Sequence, residues 1–520
     1  MSTNTYLLKQ KAIILKPEAD DVAVLMEALP AGTILEHEGK TIRLRQDIPR
    51  GHKVALRAIK KDDPVRKYGQ IIGYATTDID VGDHVHVHNM GVKYLAKQYE
   101  YATEVKPVEY YPESEMRYFM GYKRADGRVG TRNYIALVSS VNCSAFTTKA
   151  IARRFQDISR DYPNVDGVIA LTHHGGCGST LNGEGYHIFQ RTLANAARHP
   201  NVGAYILIGL GCEVNQPLAL IENQGLIQIG LNGESTLPKV LSIQDEGGIQ
   251  KTIEAGVKAV AELLPKVNEY RRTKQPVSHI VLGTKCGGSD ANSGITANPA
   301  LGVAVDEIVR YGGTGILAET PEMYGAEHLL MKRARSVEVA KKLEERIHWW
   351  EEYTRKWGAE IDNNPAPGNK RGGLTTIFEK SLGAIAKGGS TPVNAVYLYG
   401  ERITEKGFVL MDTPGYDPVT VTGMVAGGAN VVVFTTGRGS VFGFKLAPSI
   451  KVATNSQLYY HMKDDMDINA GLVHEGLSVR EVGLMILEEI ISVASGKQTK
   501  SEMQGVGEDE FCPWIYGAML

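Results

Sequence analysis

Short apolar runs followed by glycine-rich loops recur through the middle of the chain. The run Ile280, Val281 and Leu282 leads into a loop of Gly, Ser, Asn and Asp that extends to residue 300. An apolar run of this length predicts a buried strand of a parallel sheet, and the loop lies where that strand ends. In open α/β sheets, ligands bind at the carboxyl ends of the strands. We therefore expect a ligand site in residues 279–300.

The same pattern occurs three more times, and each copy contains a cysteine. The segments IALVSSVNCS, VIALTHHGGCG and YILIGLGCE place Cys143, Cys177 and Cys212 just after predicted strands, and Cys286 follows the strand described above. If these strands are parallel neighbours, all four thiols lie at one edge of one sheet. Strands that alternate with helical segments predict an α/β fold built on a parallel sheet.

The first 100 residues have a different pattern. Short alternating segments such as TIRLRQDI and HKVALRAI are separated by turn signals, and they predict a compact β domain over residues 1–100. Residues 101–118 contain two prolines and many charges, and we expect a linker there. Residues 119–361 and 362–520 are predicted to form two α/β domains, because a Pro- and Gly-rich stretch follows a long amphipathic helix predicted over 326–358.

Composition excludes several classes of protein. The formal net charge of −2 gives no reason to expect a nucleic acid or an anionic membrane as partner. No apolar run reaches the roughly 20 residues that span a bilayer, and the N-terminus lacks a secretory signal pattern. We therefore expect a cytoplasmic protein, and we expect it to be a homo-oligomer. Five cysteines in 520 residues do not make a disulfide framework.

Alternating histidines are the sharpest local feature of the first domain. His84, His86 and His88 alternate with valines, so on a strand their side chains project from one face. Neutral imidazole is a common ligand of Fe, Zn and Mn. We expect at least one of these histidines to contact a metal or a substrate; the alternative is a solvated strand face that binds nothing.

Other candidate residues lie at strand ends and in glycine-rich turns. His173 and Cys177 share one strand end, where they can bind a divalent metal or place a base beside a thiol. Arg438 lies in the loop TTGRGS and suits carboxylate recognition, because the guanidinium group pairs bidentately. Lys53 is a second candidate for a carboxylate, with a plain surface turn as the alternative.

These motifs together resemble a known family. GHKVAL, KYGQIIGYA and GDHVHVHN are similar to a small β-clip (SAF) module. GYKRADGRVGTRN, CGGSDANSGITANPA, ETPEMYGAEHLLM, FTTGRGS and MDINAG resemble the catalytic part of the altronate/galactarate dehydratase family. The resemblance implies an α/β protein with a small N-terminal β-clip domain, followed by a large parallel-sheet catalytic region of two subdomains.

The resemblance also implies a metal-dependent hydro-lyase that converts a sugar acid to a 2-keto-3-deoxy product and water. The divalent metal is expected to be Fe²⁺, with Mn²⁺ as the alternative. The histidine-rich segment and EMYGAEHLL favour D-altronate as the substrate. Galactarate or another aldarate, and a sulfo-lyase acting on sulfolactate, are the alternatives within the family. A competing function from a different class is a redox or sensor protein, in which the four cysteines at strand ends hold an iron–sulfur cluster.

Dehydration of a sugar acid needs a base for the proton next to the carboxylate, a stabilising cation and an acid for the departing hydroxyl. We expect a metal near His86, His88, His173 and Cys177, and catalytic roles for His173, Cys177 and Lys285. Lys285 is a candidate base only if burial lowers its pKa. The residues expected to bind the substrate are Lys53, Ser289, Asp290, Asn292, Asn298 and Arg438.

Overall fold

The computed structural model describes residues 4–93 and 98–517. Within them the chain forms a small N-terminal β domain, followed by one unit built on a four-stranded sheet and one built on a seven-stranded sheet. The predicted α/β fold with a small β domain at its front is therefore confirmed. In the described part of the chain, no helix combines the length and apolar character needed to cross a membrane.

The N-terminal domain consists of short strands arranged in three small sheets. Turns end each strand after a few residues, and the alternating apolar side chains, Leu35, Ile42 and Val54 among them, meet in a shared core. Its strands are Thr5–Leu7, Ala12–Ile13, Val22–Leu25, Ile34–His37, Lys40–Arg43, Lys53–Ala55, Pro64–Lys67, Gln70–Ala75, His84–Val85 and Met90–Gly91.

The segment after this domain runs along the surface of the seven-stranded unit. Its tyrosines are held by carboxylates, since the Tyr111 hydroxyl donates to Glu307 Oε2 at 2.6 Å and the Tyr101 hydroxyl donates to Glu344 Oε2 at 2.9 Å. A small antiparallel sheet then joins the start and the end of the four-stranded unit, and its strands are Tyr118–Lys123, Val129–Gly130 and Arg272–Pro276.

The four-stranded sheet is parallel throughout. Its order is Gly167–Leu171, Tyr134–Ser139, Val202–Gly209 and Lys239–Ser242. The strand Tyr134–Ser139 is buried along its whole length, because helices cover both faces of a parallel sheet. The helices of this unit are Ala145–Ala152, Glu184–Ala197, Pro217–Gln224, Ile243–Glu246 and Ile249–Val267, and a small hairpin adds the strands Gln228–Ile229 and Ser235–Thr236.

The seven-stranded sheet is also parallel. Its order is Val393–Tyr397, Gly407–Met411, Thr314–Leu317, Val281–Cys286, Val431–Thr436, Ser449–Ala453 and Ile468–Asn469. Its helices are Ala297–Arg310, Glu327–Lys332, Val337–Lys356, Pro367–Arg371, Ile377–Ile385, Asp417–Ala426, Ser456–His461, Val479–Ala494 and Lys500–Met503. Short 3-10 helices are found at Leu8–Gln10, Glu113–Glu115, Asn142–Ser144, Arg153–Phe155, Ile158–Arg160, Val277–His279, Thr320–Met323, Ile361–Asn363, Ala386–Gly388 and Ala470–Glu475.

Two expectations differ from this arrangement. The prediction that four thiols share one sheet edge is wrong, because Cys286 ends a strand of the seven-stranded sheet whereas the other three cysteines follow strands of the four-stranded sheet. The expected domain boundary at residue 362 falls inside the seven-stranded sheet, which draws strands from both sides of it. The change from one sheet to the other instead falls between Ser242 and Val281.

Candidate active site

Three imidazoles meet where two strands of the N-terminal domain pair. The strands Lys53–Ala55 and His84–Val85 are antiparallel, and their register places His52 beside His84 and His86. His52 Nδ1 lies 2.9 Å from His84 Nε2, and the ring centroids of His52 and His86 are 4.6 Å apart. One ligand nitrogen from each of the three rings lies within 4.8 Å of the other two. We call these three residues the histidine cluster.

The surroundings of the histidine cluster leave ring nitrogens free to bind a metal. His52 Nε2 lies 3.2 Å from the carbonyl oxygen of Arg371, and donation there turns the Nδ1 lone pair toward His84. Among the described residues, the buried Nδ1 of His86 has no hydrogen-bond partner. Burial lowers the pKa of His84 to about 4 and that of His86 to about 3, so both rings are neutral near pH 7. A neutral imidazole is the form that coordinates metals, and the cluster therefore fits a divalent ion.

The histidine cluster includes one of the two predicted histidine ligands of this domain. His86 belongs to it, whereas His88 is exposed, with its ring centroid 5.3 Å from that of His84. The strand ends at Val85, so residues 84–88 do not form one continuous strand face. The other two members of the cluster are His84 and His52. Its turn was visible in the sequence, but the pairing that brings it to His84 joins positions 32 residues apart.

A cationic cavity adjoins the histidine cluster at the boundary between two units. It has a volume of about 410 Å³ and is lined by Arg50 and Gly51 from the N-terminal domain and by Arg371 and Arg438 from the seven-stranded unit. Gly51 directly precedes His52, and the carbonyl oxygen of Arg371 lies 3.2 Å from His52 Nε2, so the cluster and the cavity share a wall at these two residues. Several guanidinium groups around one cavity favour a ligand with a carboxylate, because each can form paired hydrogen bonds to it.

Three of the predicted substrate-binding residues line this cavity, namely Asp290, Asn292 and Arg438. They follow the ends of neighbouring parallel strands, as the sequence pattern predicted. The Asp290 carboxylate accepts hydrogen bonds from the Ser293 amide at 2.9 Å and from the Thr454 hydroxyl at 3.1 Å. Burial raises the pKa of Asp290 above its ordinary value. The cavity thus combines cations with polar groups suited to hydroxyls.

Two other predicted residues, Ser289 and Asn298, are buried and do not line the cavity. Ser289 Oγ is 2.7 Å from Cys286 Sγ. The Asn298 side-chain amide donates to the Gly383 carbonyl oxygen at 2.9 Å, and its oxygen accepts from the Thr435 hydroxyl at 2.6 Å. These bonds occupy the Asn298 side chain, so it holds the loop in shape and does not face the cavity.

Lys53 joins the N-terminal domain to the seven-stranded unit. Its Nζ lies 2.9 Å from Glu379 Oε2 and 2.7 Å from the Gly373 carbonyl oxygen, and Lys67 Nζ lies 2.9 Å from Glu379 Oε1. Burial alone would raise the pKa of Glu379, but the two ammonium groups lower it below its usual range. A Cβ at Gly373 would lie 2.2 Å from the Gly51 carbonyl oxygen, so the backbones touch here. Lys53 therefore positions the cluster and does not reach the cavity.

Lys285 lies in a buried ion-pair network. Its Nζ pairs with Glu319 and lies 2.8 Å from Asp417 Oδ1, while Lys387 Nζ lies 2.9 Å from the second Glu319 oxygen. Burial alone would lower the pKa of Lys285, but the carboxylates of Glu319 and Asp417 raise it above its ordinary value. Lys285 therefore stays protonated near pH 7. It lacks the lowered pKa that it would need to act as the base.

His173 and Cys177 lie in the four-stranded unit, apart from the histidine cluster. His173 is buried, with Nε2 2.7 Å from the Ser139 carbonyl oxygen and Nδ1 accepting from the Gly175 amide at 3.2 Å. Burial lowers the pKa of His173 to about 4. Both ring nitrogens are thus held by backbone groups. Cys177 is exposed on the following loop.

Family models match three parts of this chain. Residues 10–93 match "Altronate/galactarate dehydratase SAF domain", and residues 121–268 match "D-galactarate dehydratase/Altronate hydrolase, second domain". Residues 277–519 match "D-galactarate/Altronate dehydratase, C-terminal". The three matched ranges correspond to the three structural units.

Several curated proteins match over most of their length. Altronate dehydratase of Bacillus subtilis (strain 168) is 38% identical over 498 residues, which is 95% of this chain and 97% of that protein. Galactarate dehydratase (L-threo-forming) of Escherichia coli (strain K12) is 39% identical over 500 residues, 94% of each chain. The (2R)-sulfolactate sulfo-lyase subunit beta of Chromohalobacter salexigens is 30% identical over 397 residues, 76% of this chain and 96% of that protein. The resemblance inferred from the motifs is confirmed, and the chain belongs to the altronate/galactarate dehydratase family.

Proposed function

We propose that this chain is a hydro-lyase that removes water from a sugar acid, with D-altronate as the favoured substrate and a divalent metal as cofactor. The observation that carries this proposal is the shared wall between the histidine cluster and the arginine-lined cavity. Dehydration of an acid is also the activity named for altronate and galactarate dehydratases, which match nearly the whole chain.

The cavity offers what a sugar acid needs for binding. A sugar acid carries one carboxylate and a chain of hydroxyls. Arg50, Arg371 and Arg438 supply positive charge for the carboxylate, and paired hydrogen bonds from guanidinium groups fix its orientation. Asp290 and Asn292 supply an acceptor and an amide for hydroxyls. A substrate held in this way has its hydroxyl chain inside the cavity, next to the histidine cluster.

The reaction removes the proton from C2 and the hydroxyl from C3, and the resulting enol becomes the 2-keto-3-deoxy acid. Negative charge develops toward the carboxylate when the C2 proton leaves, and the arginines that hold the carboxylate stabilise that charge. His52, His84 and His86 would hold the divalent metal, and their neutral imidazoles suit Fe²⁺ first and Mn²⁺ second. A bound divalent ion supplies Lewis-acid stabilisation of oxygen atoms.

Two related activities remain as alternatives. A galactarate dehydratase and a sulfolactate sulfo-lyase subunit both match the chain, and either reaction also starts from an acid with a carboxylate. The sulfo-lyase would release sulfite in place of water. The cationic cavity suits all three acids, so only a comparison of turnover with each acid can distinguish the three activities. We also propose that the chain works as a homo-oligomer in the cytoplasm.

A substrate panel tests the proposal. The purified chain is loaded anaerobically with Fe²⁺ or Mn²⁺ and incubated with D-altronate, galactarate and (2R)-sulfolactate, with the chelated, metal-free chain as control. We expect metal-dependent formation of a 2-keto-3-deoxy acid, fastest from D-altronate. Faster turnover of galactarate, or release of sulfite, would replace D-altronate with that alternative. If no aldonate or aldarate turns over with either metal, the dehydratase proposal is wrong.

A further inference from the structure

Three neighbouring strands of the four-stranded sheet each lead into a loop with one cysteine. The strands are Tyr134–Ser139, Gly167–Leu171 and Val202–Gly209, and the cysteines are Cys143, Cys177 and Cys212. All three cysteines are exposed. Free cysteine is among the most buried residue types, because its side chain behaves as a small apolar group. Three exposed thiols along one sheet edge therefore indicate a role other than packing.

Backbone hydrogen bonds join the three loops. The Asn142 amide, one residue before Cys143, donates to the Gly175 carbonyl oxygen at 2.9 Å. The Val214 amide, from the third cysteine loop, donates to the Cys177 carbonyl oxygen at 3.3 Å. The loop of Cys177 thus contacts both of the other cysteine loops. The three thiols are carried on one connected group of loops.

A glycine fixes the closest approach among these loops. Gly176 has a φ of +97°, and a Cβ there would lie 2.3 Å from the Ser140 carbonyl oxygen. No other residue fits at this position without displacing the backbone. Because the residue next to Cys177 is constrained in this way, the backbone that carries its thiol is held in place before any ligand binds.

The spacing of the thiols disfavours a single metal ion. Thiolates around one tetrahedral zinc lie about 3.8 Å apart, given Zn–S bonds of about 2.3 Å. Within the described residues, the histidine cluster is the only group of three or more candidate ligands whose ligand atoms all lie within 4.8 Å of one another. The three sulfurs are therefore spread more widely. In a four-iron cluster each thiolate binds a different iron, so the ligands stand further apart than around one ion.

We propose that Cys143, Cys177 and Cys212 bind an iron–sulfur cluster, distinct from the metal of the histidine cluster. A four-iron cluster is assembled from two iron(II), two iron(III) and four sulfide ions, and the three thiols bind it as thiolates after losing their protons to solvent. Cys286 takes no part, because it is buried in the other sheet with its Sγ 2.7 Å from Ser289 Oγ. In a four-iron cluster, three cysteines leave one iron free for a non-protein ligand.

Anaerobic reconstitution tests this site. The full chain is incubated with Fe²⁺, Fe³⁺, sulfide and a thiol reductant and is then desalted. Iron and acid-labile sulfide are measured, and the visible spectrum is recorded. We expect retained sulfide, iron in similar amount and sulfur-to-iron charge-transfer absorption. Cys143→Ser, Cys177→Ser and Cys212→Ser should each lower the retained sulfide at least about fivefold. The matched control Cys512→Ser should retain it.

Other outcomes would overturn the proposal. These are a wild-type chain that retains no sulfide, sulfide that survives all three substitutions, or one zinc ion bound by the same cysteines without sulfide. Alkylation mapped by mass spectrometry gives a readout that needs no variant, since the cluster should protect the three thiols and its removal should expose them. His86→Ala should keep the sulfide, so failure of the histidine metal site is distinguishable from failure of this one.

Discussion

The histidine cluster and His173 show how differently one residue type is used in two parts of this molecule. His173 is buried in the four-stranded unit, and backbone groups hold both of its ring nitrogens. In the N-terminal domain, His52, His84 and His86 turn nitrogens toward one another, and Nδ1 of His86 has no partner among the described residues. Burial lowers the pKa in both places.

This difference indicates that a low pKa alone does not distinguish the proposed metal ligands from His173. What distinguishes the two places is whether a ring nitrogen has a lone pair left for a ligand. The interactions that hold the histidines in position also differ. Backbone hydrogen bonds hold His173, whereas the histidine cluster depends on the ion pairs of Lys53 and Lys67 with Glu379 across a domain boundary.

The largest expected effect comes from removing that support. Glu379→Gln leaves two buried ammonium groups without a counter-charge, and breaking a buried ion pair in this way costs about 3–5 kcal/mol. We expect urea unfolding at pH 7 to show a loss of that size. The exposed Glu508→Gln serves as control and should change stability little. Equal stability of the two variants would mean that the ion pairs do not hold the domains together.

His173 should make stability depend on pH. Its folded-state pKa of about 4 lies below the ordinary value of 6.5, so its contribution is complete above pH 6.5 and is lost as pH falls toward 4. The pKa difference corresponds to about 3 kcal/mol. We expect His173→Gln to be less stable at pH 7 and to lose less stability than wild type between pH 7 and 4 in urea titrations. The exposed neighbour variant His174→Gln should keep the wild-type slope, and a wild-type slope in His173→Gln would contradict the prediction.

Metal binding should distinguish the histidine cluster from His173 directly. His86→Ala removes a ligand of the proposed metal site, and we expect metal affinity and turnover to fall at least about 100-fold, since even indirect partners of metal ligands are worth 10–100-fold. Anaerobic titration with Fe²⁺ or Mn²⁺ measures the affinity. His173→Gln is the comparison variant and should keep its metal. The reverse pattern would place the metal at His173, as the sequence suggested.

The smallest effect is expected at His88. This side chain is exposed and stands outside the histidine cluster. We expect His88→Ala to change metal affinity and turnover by less than about twofold, as is usual for surface substitutions. A loss as large as that of His86→Ala would mean that His86 and His88 both bind the metal, as the sequence analysis predicted.

Local patterns predicted what depends on local chemistry. The apolar run before Cys286 forms the strand Val281–Cys286, and Asp290, Asn292 and Arg438 reach the cavity because each follows a parallel strand. A capping residue, in contrast, divides the long helix predicted over 326–358. Ser336 accepts a hydrogen bond from the Val339 amide and starts a second helix there.

Pairings between distant segments could not be predicted in the same way. No local pattern states that the strand after His52 pairs with the strand of His84, or that the strand of Cys286 belongs to a different sheet from those of the other thiols. Strand order depends on how whole units pack, and periodicity along the chain carries no information about it. The histidine ligand set was therefore only partly visible from sequence.

The proposed active site takes different groups from the two sides of the boundary between the N-terminal domain and the seven-stranded unit. The nitrogens proposed to hold the metal all come from the small domain, whereas most groups around the cavity belong to loops of the large unit. Side-chain substitutions in those loops can alter which acid fits and still keep the Arg371 carbonyl oxygen that contacts His52. The proposed metal-holding module is thus compatible with acids of different shape.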